Sequence, residues 1–246
     1  MSRIAAFAFA VLAYLLFFAT FLYLVAFVGD LPWVPVSVDR GPTSPWPLAA
    51  VIDLGLIALF GVQHSVMARP WFKKHWTRII GLVAERSAYV VIASLMLIVL
   101  FLGWQPIGGE VWHVRAPWAE WTLWGLFALG WAIVLVSTLL ISHFELFGLA
   151  QAWLHLHRRE PAAPRFHTPM LYKAVRHPLY TGFIIAFWAA PVMTFGHLLL
   201  AVAMTAYIVI AIQYEERDLT ELFGEDYRDY QTRVGMLVPG VGKSSR

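Results

Sequence analysis

Residues 4–28 run for 25 positions without a single charge, starting directly after Arg3. A run of that length matches the ~20 apolar residues needed to cross a bilayer as a helix. It is too long for a signal-peptide core and lacks a small-residue cleavage site, so it is expected to stay as a first spanning helix. Further runs of spanning length follow at 48–67, 86–104 and 118–142, and a last one from Leu179 to Tyr214. The chain is 60% hydrophobic and only 13% charged, about half the ~25% charge of an ordinary soluble domain. The expected fold class is therefore all-α: a polytopic membrane protein and a single domain over residues 1–246. With no cysteine, disulfides, thiolate metal sites and cysteine nucleophiles are excluded.

Loop charges set an expected orientation. The loop at 68–85 carries Arg69, Lys73, Lys74, His75 and Arg78 against one acid, and 143–176 carries Arg158, Arg159, Arg165, Lys173 and Arg176. The loops at 29–47 and 105–117 have one arginine each, balanced by acids. By the positive-inside rule the basic loops and both termini are expected in the cytoplasm. Trp33, Trp46, Trp104, Trp112, Trp118 and Trp121 would then mark the outer interface, and Trp71, Trp76 and Trp153 the inner one. The net charge of +3 suits such loops, and no basic run interleaved with aromatics suggests a nucleic-acid partner. The lipid bilayer is the expected environment, and no obligate protein partner is implied.

The last apolar region, 179–214, has 36 residues. As one helix it would be ~54 Å long, against a hydrocarbon core of ~30 Å. Pro191 and Gly196 near its middle predict a break, hence a hairpin of two helices of about 17 residues each. With four spans before it, the chain has five to six membrane segments and a short cytoplasmic C-terminal helix. The hairpin brings "LYKAVRHPLYTGF" (171–183) and "QYEERDLTELFG" (213–224) to one face.

Ionisable groups at a membrane edge are costly and usually functional. The planar fork of Arg176 suits a carboxylate. Glu215 and Glu216 suit ribose hydroxyls, an amine or a cationic centre. S-adenosylmethionine offers all of these groups, and no glycine-rich dinucleotide fingerprint provides another way to hold it. Charge alone leaves open that Arg176 is a positive-inside anchor and that the glutamates begin a solvated tail.

Arg176-His177-Pro178 with Tyr180 and Gly182, an apolar hairpin, then Glu215-Glu216, Leu219, Gly224, Tyr227 and Tyr230 resembles the isoprenylcysteine carboxyl methyltransferase superfamily over residues 170–238. "VQHSVMARPWFKKHW" (62–76), "ERSAYV" (85–90) and "GWQP" (103–106) resemble the bacterial methanethiol S-methyltransferases within it. The resemblance spans nearly the whole chain. It implies a membrane enzyme, in the bacterial inner membrane, that encloses S-adenosylmethionine at the cytoplasmic face. Tyr172, Arg176, His177, Pro178, Tyr180, Gly182, Glu215 and Glu216 become cofactor-site residues by that resemblance.

Methyl transfer to a thiol is an in-line displacement, in which alignment alone contributes ~7–11 kcal/mol. A free thiol is mostly protonated at neutral pH, since even cysteine titrates near ~8.5, so a base should help. His64, at the end of the second span, is the candidate base, with Glu85 and Arg86 opening the third span at the same depth. The alternatives are an interfacial histidine that orients a helix and a structural Glu85–Arg86 ion pair. No metal is expected: His155 and His157 form only a weak H-x-H pair, and His143 and Glu145 end the fourth span. Two other functions stay open. One, beside the leading expectation of a small-thiol acceptor (methanethiol to dimethyl sulfide, or hydrogen sulfide to methanethiol), is methylation of a lipid-like acceptor, such as a prenylcysteine carboxylate or a phospholipid. The other is a haem or transport protein of nitrogen-oxide metabolism, with His64 and His143 as axial ligands.

Overall fold

The computed structural model describes residues 1–161, 163 and 165–244. Ala162, Pro164, Ser245 and Arg246, which the expected domain over 1–246 takes in, lie outside the described residues. The chain is mostly helical. In order come α1 (Arg3–Val28), α2 (Trp46–Ala68), α3 (Pro70–Ile80), α4 (Leu82–Gly103), β1 (Glu110–His113), α5 (Pro117–Ile141), α6 (His143–Leu146), α7 (Leu149–Leu156), α8 (Pro178–Trp188), β2 (Val192–Thr194), α9 (Phe195–Phe223) and α10 (Glu225–Arg233). Helices α1, α2, α4, α5 and α9 are each long and apolar enough to cross a membrane. This is an all-α integral membrane protein. Leu12, Leu15, Val51, Leu102 and Leu129 stand exposed on these helices, as expected where lipid rather than water is the neighbour.

Two compact units divide the chain. The first comprises Met1–Gly109, Ser142–Ala162 and Thr194–Leu200. Its core begins with Ala6, Ala10 and Ala13, a buried stripe of small residues at helical spacing on α1. Such a stripe allows close packing where lipid gives no hydrophobic drive between helices. Further along α1, Phe27 and Tyr23 lie 5.0 and 4.9 Å from the Phe101 ring of α4. Trp104 is fully buried and donates from Nε1 to the Val38 carbonyl at 3.0 Å. It is a core residue, which corrects its expected place in the interfacial belt. Trp33, Trp46, Trp118 and Trp121 are exposed, as belt residues should be. Asp53 of α2 is fully buried, and its Oδ1 accepts from the Gln105 amide at 2.8 Å, one of the amides just beyond α4.

Where a loop is expected at 68–85, the first unit has α3. Pro70 starts it at a position where no amide is needed, and Gly81, at φ +80°, ends it. Trp71, Phe72, Trp76, Ile79 and Ile80 alternate with Lys73, Lys74 and Arg78 at helical spacing, a signal the charge count obscures.

The second unit comprises Glu110–Ile141, Ala163–Met193 and Ala201–Arg246. Here α5 and α8 cross at two glycines. A Cβ on Gly182 would fall 2.6 Å from the Gly130 carbonyl oxygen, and one on Gly130 would fall 2.7 Å from the Gly182 carbonyl oxygen. Only glycines permit that approach, so Gly182 is the point at which α8 packs on α5. The last apolar region breaks over residues 189–194, but its arms are unequal. Helix α8 has 11 residues and α9 has 29, not about 17 each. At ~1.5 Å per residue α8 is ~16 Å long and cannot span ~30 Å. By contrast α9 is long enough to carry Glu215 and Glu216 beyond its apolar stretch.

Candidate active site

In the second unit, His177 precedes Pro178, which occupies the first turn of α8. Pro178 is buried and serves as the helix start. The chain before it runs beside the C-terminal tail: Val175 bridges Gly235 in parallel fashion, and the Arg176 and His177 amides donate to the Gly235 and Met236 carbonyls at 2.8 and 3.1 Å. Thr181 adds a bond from its hydroxyl to the Leu237 carbonyl at 2.8 Å. The tail can turn so tightly only because residue 235 is glycine, since a Cβ there would collide with the Val238 carbonyl oxygen.

Arg176 and His177 are both 5% exposed. Arg176 donates from Nε to Glu216 Oε1 at 2.6 Å, from Nη1 to the Gln231 and Val234 carbonyls at 3.2 and 2.6 Å, and from Nη2 to the Gly242 carbonyl at 3.1 Å. Four of its five N–H groups are thereby spent inside the protein. The fork expected to grip a ligand carboxylate is turned inward, on to α9 and the tail. Glu216 is equally committed, for His177 Nε2 lies 3.0 Å from Oε1 and Gln231 Nε2 donates to Oε2 at 3.0 Å. Arg176, His177, Glu216 and Gln231 thus form a closed frame.

Glu215 lies ~100° around α9 from Glu216 and faces different partners. The Tyr180 hydroxyl donates to its Oε2 at 2.9 Å. Tyr227 is 2% exposed and its hydroxyl, also buried, has no hydrogen-bond partner. Burial first, then the charges of Glu216 and Glu215, raise the Tyr227 pKa well above the usual phenol range. Tyr172 is raised likewise by burial and by Glu215, while its carbonyl accepts from the Tyr230 hydroxyl at 2.5 Å. Burial pushes Tyr230 up to about 12. All three therefore act as neutral phenols. A separate cavity of about 700 Å³ near Thr220, Arg228 and Ser244 shares only Gln231 with this frame.

In the first unit, His64 Nε2 lies 2.9 Å from the Tyr89 hydroxyl, and its ring is 5.2 Å from Phe60. Its Nδ1 is buried without a partner. The Arg86 guanidinium lies 5.9 Å over the Tyr89 ring. Among the described residues no ion pair joins Glu85 to Arg86, so the expected structural pair does not form; consecutive helical residues point ~100° apart. His143 Nε2 is 2.8 Å from the Tyr14 hydroxyl. In both histidines Nε2 already faces a tyrosine hydroxyl. Gln231 and Tyr89 carry no role in the sequence reading. Tyr89 lies within "ERSAYV", but only the packing of α2 on α4 shows its partner. Gln231 reaches Glu216 only because the chain turns at Gly224, where φ is +58°.

Five spanning helices and a buried arginine–histidine–glutamate frame at the end of the last define an integral membrane protein with a polar site at a helix terminus. Comparison with known proteins names the family. The chain is 51% identical over 237 residues to methanethiol S-methyltransferase 1 of Bradyrhizobium diazoefficiens, covering 96% of this chain and 83% of the relative. It is 48% identical over 227 residues to the methanethiol S-methyltransferase of Mycobacterium tuberculosis, covering 92% and 93%. Human nurim is 33% identical over 200 residues, covering 77% and 74%. The chain belongs to the methanethiol S-methyltransferase family. No family model and no solved structure matches it.

Proposed function

We propose that this protein methylates methanethiol to dimethyl sulfide, using S-adenosylmethionine, at the cytoplasmic face of a bacterial inner membrane, with both termini in the cytoplasm. The observation that carries the choice of reaction is the near-full-length identity of about half to relatives named for it.

The second unit has a donor set that fits the cofactor. Glu215 keeps one carboxylate oxygen on Tyr180 and has a second to offer. The buried Tyr227 hydroxyl lacks a partner, which is costly unless a ligand supplies one. Acceptors and neutral phenols of this kind suit ribose hydroxyls and an ammonium group. When bound, the cofactor supplies an electrophilic methyl group on a positively charged sulfur. Arg176, His177 and Glu216 are assigned a positioning role: they lock the end of α9 against the tail and so fix the direction of Glu215. Tyr172 and Tyr180 border that carboxylate. In the first unit His64 is assigned the thiol proton, which moves from sulfur to its unpartnered nitrogen while the S–H electron pair stays on sulfur. Glu85 and Arg86, near the start of α4, are assigned to the same reaction beside His64.

The test is an acceptor panel on purified protein with S-adenosylmethionine. Methanethiol should be methylated at least ~10-fold faster than hydrogen sulfide, a prenylcysteine or a phospholipid. Preference for the prenylcysteine or the phospholipid would assign the chain to lipid modification instead.

A further inference from the structure

Tyr89 hydroxyl contacts two atoms of the same residue. It lies 2.9 Å from His64 Nε2 and donates toward the His64 carbonyl at 3.4 Å. A phenol has one proton to give; directed to the carbonyl, it leaves the tyrosine oxygen as the acceptor for an imidazole N–H. The alternative gives the proton to Nε2. Nδ1 would then carry hydrogen, and that N–H would be buried with no acceptor, since Nδ1 is enclosed and unpartnered. Orphaned buried N–H groups are rarer than under-used acceptors.

We infer that Tyr89 is a positioning residue that holds His64 as the Nε2–H tautomer and leaves the Nδ1 lone pair as the proton acceptor. The inference rests on the proposal that His64 takes the thiol proton. On transfer the thiol S–H bond breaks, its electron pair remains on sulfur, and the proton forms Nδ1–H. Nε2–H stays bonded to Tyr89 throughout, so the imidazolium is held without rearrangement. The Arg86 guanidinium, 5.9 Å from the centroid of the Tyr89 ring, restrains the phenol by cation–π attraction, and Phe60, 5.2 Å away, restrains the imidazole. This gives Arg86 a part in the reaction that needs no partnership with Glu85. A histidine in the wrong tautomer loses most of its value as a base, by up to ~10⁴-fold in serine proteases.

The experiment is ¹⁵N NMR of histidine-labelled full-length protein in liposomes, with the His64 signals assigned by their loss in His64→Gln. The wild type should show an imine-type Nδ1 and a pyrrole-type Nε2. In Tyr89→Phe that pattern should be lost, and turnover with methanethiol should fall by ~10-fold or more, while S-adenosylhomocysteine affinity stays within about twofold as the control for folding. A pyrrole-type Nδ1 in the wild type overturns the inference without recourse to any variant. So does a Tyr89→Phe protein that keeps wild-type turnover. A wild type that makes no dimethyl sulfide at all overturns the proposed function instead, and is recognised before any variant is made.

Discussion

Arg176 reaches Glu216 at 2.6 Å across 40 positions of sequence, with side chains only 3% and 13% exposed. The two residues join the start of α8 to the end of α9, and the remaining guanidinium donors tie down the tail at Gln231, Val234 and Gly242. The pair thereby latches the start of α8 to α9 and the tail.

Removing one member of a buried pair leaves the other charge uncompensated, at ~3–5 kcal/mol. Arg176→Ala should therefore lower the thermal unfolding midpoint of the ligand-free protein and expose the tail to protease. Lysine cannot reproduce the fork, so Arg176→Lys should recover little of that loss. An unchanged midpoint in ligand-free protein would return Arg176 to direct ligand binding.

The glycine crossing of α5 and α8 gives a second expectation. Gly182→Ala must push a methyl group against the Gly130 carbonyl, 2.6 Å away. Overpacking of this kind costs ~1–3 kcal/mol, so the unfolding midpoint should drop. Stability equal to wild type would contradict the close crossing.

The spanning segments are legible in the sequence because lipid demands long uncharged runs, and α1, α2, α4 and α5 begin and end within about four residues of those runs. The unequal hairpin is not legible. Pro191 shows where the chain breaks, but the extra length of α9 lies in polar residues that a hydropathy reading assigns to a tail. Site residues divide in the same way. Arg176, His177, Glu215 and Glu216 stand out as charges beside apolar stretches, yet the inward turn of Arg176 depends on carbonyls of residues 231–242 that only the folded tail presents. Trp104 looks like an interfacial tryptophan until Val38 is seen to accept its N–H.

Asp39, in the segment between α1 and α2, is pushed up to about 6 by burial, with the Thr194 hydroxyl and Arg40 opposing and Asp30 adding to the shift. A carboxyl raised above its ordinary 3.8 favours the folded state in its protonated form. That contribution is complete below the ordinary value and is lost as pH rises through about 6. Asp39→Asn, which stays neutral, should gain stability relative to wild type as pH is raised from about 4 to 7. A difference that is constant over that range would show that Asp39 is not held in this way.

Topology offers an independent check. Reporters fused before Arg3 and after Lys243 should both be cytoplasmic, because α8 together with residues 189–194 carries the chain over and α9 brings it back, which with α1, α2, α4 and α5 makes an even number of crossings. Opposite locations would overturn the proposed orientation.

The most direct test of methyl transfer is to supply purified protein with methanethiol and S-adenosylmethionine bearing a trideuterated methyl group, and to weigh the headspace product. Dimethyl sulfide three mass units heavier than the unlabelled compound should accumulate in step with S-adenosylhomocysteine, and Glu215→Ala should reduce the rate at sub-saturating cofactor by ~10–100-fold, the equivalent of one charged hydrogen bond. Dimethyl sulfide without the label, or S-adenosylmethionine left unconsumed in the presence of methanethiol, would contradict the assignment.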